Sequence, residues 1–196
     1  RICTGLTTNL LHSTTHCLMF AKRLKTLRAV AAILGAAASF HAVAACHDTL
    51  TPAELSGKGE LCIIGFCFYD AQLWSTKVPV GYDAPFALEV TYRRAVTGSR
   101  LIETAIDEIR RMQTPPPSDA TLSRWQEAMT PAFTDVKPGD VLCGVYLPGR
   151  GARFYTNGRL MTEVDDPAFA HAFFDIWLGR GTRAPSLRRS LLGEVR

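Results

Sequence analysis

Acidic residues are missing from the first 45 positions of this 196-residue chain, and that absence reorganises its charge. The whole sequence carries 22 Lys and Arg against 18 Asp and Glu, a formal +4 that would suit a nucleic-acid binder. Five of the basic residues, Arg1, Lys22, Arg23, Lys25 and Arg28, fall in the acid-free leader, so the rest holds 17 against 18 and is close to neutral. A neutral body has no basic stripe to follow a phosphate backbone, which argues against DNA or RNA as a partner. Repeats, low-complexity blocks and the HExxH, paired CxxC and GxSxG motifs are also missing. Beyond residue 46 the only histidines are His47 and His171, and Gly149-Arg150-Gly151 lacks the strand-to-helix setting of a phosphate loop. No catalytic constellation, metal site or cofactor site is therefore read. What is present is 47% apolar residues, enough at this length for one ordinary core.

From Met19 the chain reads MFAKRLKTLR, then an apolar run from Ala29 to Phe40, then small residues up to Cys46. A cationic segment, about a dozen apolar residues and a small-residue exit describe a secretory signal peptide, too short to span a membrane. Residues 1–18 read as an upstream extension without structure, 19–45 as the signal, and 46–196 as a single domain, periplasmic or otherwise exported. Cleavage after Ala44 is one exit. The other precedes Cys46, because Val43-Ala44-Ala45-Cys46 resembles a bacterial lipobox, whose cysteine would carry a lipid and tether the protein to a membrane. Export permits disulfides, but Cys62, Cys67 and Cys143 are an odd number, which leaves a thiol free. Cys62 and Cys67, five apart along one strand, should face opposite ways and not bridge, serving as small buried apolar groups.

Residues 57–74 are apolar on both parities, as in a strand buried on both faces or a bent pair turning at Gly65. Phe86, Leu88, Val90 and Tyr92 alternate with Ala87, Glu89 and Thr91, a strand with one core face that Arg94 continues. Thr97 caps a helix carrying Leu101, Ile102, Ala105, Ile106 and Ile109, and Ser118 caps a second that ends before Pro131. Strands follow at 141–147, 152–155 and 159–164, the last two joined by Thr156-Asn157-Gly158. Asp166-Pro167 opens a Phe-rich helix and Pro185 a short last one. Strands, two helices, three strands and two helices make an α+β domain with a mostly antiparallel sheet. The Phe-rich helix is apolar over more than one stripe: Phe169, Phe173 and Trp177 are widened by Ala170, Phe174 and Ile176. It therefore meets a second partner, either a helix or a ligand. Arg94, if half-buried, needs a counter-charge from an acid such as Glu108 or from an anionic ligand. His171 and Asp175 read as a surface i,i+4 pair.

The blocks GKGELCIIGFCFYDAQLW, PFALEVTY, PGDVLCGVYLPGRGARFYTNG, DPAFAHAFFDIWLG and APSLRRSLLG, in this order from about Leu55 to Gly193, resemble the bacterial branch of the chalcone isomerase-like family. The resemblance implies an open-faced sandwich, a mostly antiparallel sheet covered on one side by helices, with an apolar ligand cleft between them. Plant chalcone isomerases close a flavanone ring with a strand arginine, a helix tyrosine and asparagine, and threonines. Relatives that bind fatty acids keep a basic anchor. The resemblance places those polar groups at Cys62, Leu101, Glu108 and Ile176, and all four differ. Losing one preorganised donor costs about 3 kcal/mol of transition-state stabilisation, so plant-type chemistry is not expected. The expectation is an exported, non-catalytic binder of a small apolar ligand such as a fatty acid, with Arg94, Tyr92, Tyr69, Cys62, Leu101, Phe173 and Ile176 as ligand-binding residues. Two alternatives stand beside it. One is an isomerase or lyase for a phenolic or unsaturated substrate that uses Arg94, Tyr92 or Tyr69. The other is an envelope interaction module with an exposed apolar patch. The oligomeric state is not legible.

Overall fold

The computed structural model of the chain describes residues 45–194, so the expected signal lies outside the described residues except for Ala45. Six strands form one antiparallel sheet in chain order: β1 (Glu54–Ile63), β2 (Phe66–Ser75), β3 (Phe86–Tyr92), β4 (Val141–Leu147), β5 (Gly151–Thr156) and β6 (Arg159–Val164). Helices α1 (Gly98–Met112) and α2 (Asp119–Met129) lie between β3 and β4, and α3 (Pro167–Leu178) and α4 (Pro185–Leu191) follow β6. Each long helix starts where a side-chain oxygen meets an orphan backbone N–H. Thr97 accepts from Arg100 N at 3.3 Å, Ser118 from Thr121 N at 3.2 Å, and Asp166 from Ala168 N and Phe169 N at 3.0 Å each.

Register explains the two faces of the sheet. Tyr69, Ala71 and Leu73 on β2 stand opposite Tyr92, Val90 and Leu88 on β3, and Val90, Leu88 and Phe86 stand opposite Leu142, Gly144 and Tyr146 on β4. These side chains point to the helices and form the main core with Ile106, Ile109, Phe169 and Phe174. Gly144 lets α3 approach, since a Cβ there would stand 2.9 Å from the Phe174 ring. The opposite parity, Ala87, Cys143, Val145 and Tyr155, is covered by a 3₁₀ turn at Cys46–Thr49, which adds Cys46 and, just after it, Leu50. Helices thus cover one face of the sheet, and the start of the domain covers part of the other.

Three expectations need correction, but of the two readings of 57–74 the pair turning at Gly65 holds: Ile64 and Gly65 both take positive φ, 49° and 78°, the two-residue hairpin turn that suits strand twist. That reversal puts Cys62 directly opposite Cys67, and the two form a disulfide near the exposed tip rather than separate buried thiols. Cys46 belongs to the folded body and is bonded to Cys143, so the described cysteines pair evenly and the Cys46 sulfur is not available for a lipid tether. Arg94 does not continue the core face, because β3 ends at Tyr92 and the chain bends; its side chain is exposed.

Candidate functional site

Between the sheet and α3 lies a small void of about 30 Å³, lined among others by Leu88, Val90, Tyr92, Phe133, Phe173 and Trp177. Its walls follow from the two periods: alternate residues of β3 to β5 face in, and α3 brings Phe173, Phe174 and Trp177 down on them. The rings interlock, with Phe173 edge-on to Phe154 at 5.0 Å and 5.3 Å from Trp177. A space of this size holds a water or two, whereas a small-molecule site takes hundreds of Å³. The polar groups here are neutral. Trp177 Nε1 donates to the Tyr69 hydroxyl at 2.9 Å, and Tyr69 meets Tyr92 edge to face at 5.9 Å. Burial pushes the Tyr69 phenol up to about 12, although the Trp177 hydrogen bond draws it back, and burial and then the nearby Tyr69 push Tyr92 well above the ordinary range. Both phenols keep their protons at physiological pH.

Of the expected ligand-binding residues, Tyr92 and Phe173 line this space, and Tyr69 stands behind them against Tyr92 and Trp177. Leu101 and Ile176 lie half-buried against the same core. Cys62 and Arg94 do not join them. Cys62 is exposed in the hairpin disulfide, and Arg94 lies outside with its Nε donating to the Cys67 carbonyl at 3.3 Å and its guanidinium 5.0 Å from the Phe66 ring centre. Glu108 is held by Arg111 at 2.6 Å and Arg183 at 2.9 Å, not by Arg94.

Sequence reasoning missed Phe133, in the connector after α2, where no periodicity marks a residue as inward. Its ring lines the void and also an open groove of about 900 Å³ bounded by Gly98, Ile102 and Ile106 of α1 and Gln126 and Thr130 at the end of α2. Packed on Phe154 at 5.4 Å and Phe173 at 5.7 Å, it separates the two spaces.

His171 and Asp175 do pair, Nδ1 to Oδ2 at 3.2 Å, but they are not alone. Tyr82 donates to Asp175 Oδ1 at 2.8 Å and stacks on His171 at 3.9 Å, beside a cavity of about 290 Å³ whose wall includes Tyr82, Phe86, Asp175 and Arg188. Burial, then the Asp175 charge, hold the Tyr82 phenol far above its ordinary value, so it is a fixed donor and not a base. Arg188 spends its guanidinium on the Leu178 carbonyl at 2.8 Å and Glu194 at 3.4 Å. Among the described residues, the metal-type donors that converge are Cys46, Glu89 and Cys143, and Glu60, Cys62 and Cys67. In each group the two sulfurs are joined, which leaves one carboxylate to offer.

Comparison with known proteins follows the same lines as this geometry. An uncharacterized protein of Haemophilus influenzae is 29% identical over 114 residues, which cover 58% of this chain and 54% of that protein, so the chain spans about half the length of this relative. Among solved structures, a fatty-acid binding protein of Arabidopsis thaliana matches with a TM-score of 0.57 over 72% of this chain and 87% of its own, at 9% identity, a likeness of fold. The profile of the chalcone isomerase-like family matches residues 72–193, from the middle of β2 to the end of α4, and with the six-stranded sheet under its helices this places the chain in the chalcone isomerase-like family.

Proposed function

We propose that the protein encloses a small apolar ligand, a fatty acid or an acyl chain of similar shape, between sheet and helices and does not transform it. The observation that carries this is the character of the interior. Aromatic walls surround the Tyr92 and Trp177 end of the void, and the polar groups at that end are neutral: the Tyr92 phenol, and the Trp177 indole already committed to Tyr69 behind it. The positions at which the family resemblance puts catalytic groups hold a disulfide sulfur at Cys62, alkyl chains at Leu101 and Ile176, and a paired carboxylate at Glu108. The Arabidopsis neighbour is a fatty-acid binding protein, which supports the same reading. Since the void is about 30 Å³, a ligand has to move Phe133 and extend toward the groove. For the alternative of an isomerase or lyase, the exposed position of Arg94 removes the one cation that reading relied on, and two protonated phenols are weak substitutes.

The test is a titration with a fluorescent fatty acid alongside an assay for chalcone cyclisation. Saturable uptake of one probe per chain without turnover is expected; any turnover, whether or not Arg94→Ala removes it, or the absence of any uptake, would overturn the proposal. We further propose that the protein is exported and cut after Ala44. Two disulfides suit an oxidising compartment, and the Ala45 nitrogen already lies 2.9 Å from Asp48 Oδ2, a fitting partner for a new amino terminus. Cell fractionation with intact-mass measurement checks this, and a lipid-bearing mass would contradict it.

A further inference from the structure

The tip of the β1–β2 hairpin presents large apolar side chains to solvent: Ile63 is 52% exposed, Ile64 92% and Phe66 56%. Single exposed apolar residues are ordinary, but three clustered at the end of a projecting loop are a liability that soluble proteins avoid. Local chemistry makes this harder to dismiss. Ile64 is β-branched and sits at a positive φ of 49°, where Asn or Gly would be relaxed, so the turn bears strain to keep an aliphatic side chain at its point. Immediately behind it the Cys62–Cys67 disulfide fixes the two strands, so the tip is held in shape without neighbours of its own.

The charge around the tip selects the partner. Arg93 holds both neighbouring acids, Glu60 at 2.8 Å and Asp70 through a two-pronged contact, so that with Arg94 the four charges sum to zero. Arg94 forms no ion pair among the described residues. It lies over Phe66 and bonds the Cys67 carbonyl, which holds its guanidinium at the base of the tip. An apolar point with an unpaired guanidinium one side chain behind it, the acids being held on Arg93, matches the layering of an anionic bilayer, where acyl chains lie under phosphates. We propose that this hairpin docks the protein on an anionic phospholipid surface, with Ile63, Ile64 and Phe66 entering the acyl boundary and Arg94 meeting lipid phosphate. A hydrophobic patch on a partner protein would have no use for the free guanidinium at that depth. Docking of this kind stands whether or not the interior carries a ligand, and it does not use Cys46.

The test is co-flotation of the disulfide-intact protein, without added ligand, with vesicles of phosphatidylethanolamine and phosphatidylglycerol or of phosphatidylcholine alone. The wild type should float with the anionic vesicles, and added salt should weaken this. Ile64→Asp, at a position that supports no core contact, should lower the partition by ~10-fold or more, the sign and scale expected when a carboxylate replaces an aliphatic group in the apolar layer. Arg94→Gln should abolish the preference for anionic vesicles, and Leu160→Asp, at another exposed apolar position, should change nothing. Near-ultraviolet circular dichroism confirms that each variant is folded. The proposal falls if the wild type floats with neither vesicle, if Ile64→Asp floats as well as the wild type, or if Ile64→Asp changes self-association and not flotation.

Discussion

Phe133 is the residue at which the binding proposal is most exposed to test. A fully buried phenylalanine truncated to alanine costs about 3–5 kcal/mol. Phe133 is half-buried and touches Phe154 and Phe173 on one side with the groove on the other, so Phe133→Ala should cost about 2 kcal/mol of stability. The same ring is what an incoming chain has to displace. If that displacement is the cost of opening, the variant binds without it, and about 2 kcal/mol at 1.4 kcal/mol per tenfold is roughly a 30-fold gain in affinity. Urea unfolding and titration with a fluorescent fatty acid, on the same preparation, therefore should move in opposite directions by similar free energies. A variant that loses stability while its affinity stays level or falls would show that Phe133 is wall and not gate, and the proposed access route would be wrong.

The two disulfides close loops of different length, with sequence separations of 97 and 5. Chain-entropy arguments give roughly 4–5 kcal/mol for the first and roughly 2 kcal/mol for the second, so Cys143→Ala should lower the urea midpoint more than Cys67→Ala; the reverse order would contradict this. Gly144→Ala should cost about 1–3 kcal/mol by driving a methyl group into the Phe174 ring, read by thermal unfolding, and a neutral result would mean that α3 is free to rise. Burial alone would raise the Asp166 carboxyl, but hydrogen bonds from Phe169 N, Trp125 Nε1 and Ala168 N outweigh it and hold the group below the usual aspartate range. A depressed folded value means that its stabilisation is complete above the unfolded pKa of about 4 and is lost as pH falls through the folded one. Asp166→Asn should accordingly flatten the acid side of the stability curve below about pH 4, and an unchanged slope would refute the assignment.

Much of the fold was legible because its signals are local. Thr97, Ser118 and Asp166 are caps whose chemistry acts within three residues, and the alternation of Phe86 to Tyr92 marks the face that meets the helices, although the other face, at Ala87, is covered as well. The hairpin was harder. Apolar residues on both parities of 57–74 suit either a buried strand or a turn, and nothing in Ile64-Gly65 announces a reversal as Asn157-Gly158 does. Placing both cysteines on one strand, when a turn at Gly65 was equally open, carried the error into chemistry, since one strand separates Cys62 from Cys67 whereas two strands join them. Setting Cys46 apart as a lipidation candidate and counting only Cys62, Cys67 and Cys143 had the same effect on Cys143. Strand parity and helix period point Tyr69, Tyr92 and Phe173 inward, and Tyr92 and Phe173 do line the void while Tyr69 packs behind Tyr92. Arg94 was misplaced because parity was extended one step beyond the end of the strand. Phe133 could not be found by pattern at all, because its direction is set by how the connector between α2 and β4 crosses the mouth of the void, a property of the assembled fold.

The claim on which the account rests is that the space between sheet and helices opens to hold an apolar molecule. Native mass spectrometry of the protein taken from its own compartment tests it most directly. The account predicts one non-covalent adduct per chain with the mass of an apolar small molecule, lost on unfolding and restored by refolding with fatty acid. A bare chain that takes up nothing on incubation with fatty acids would contradict it.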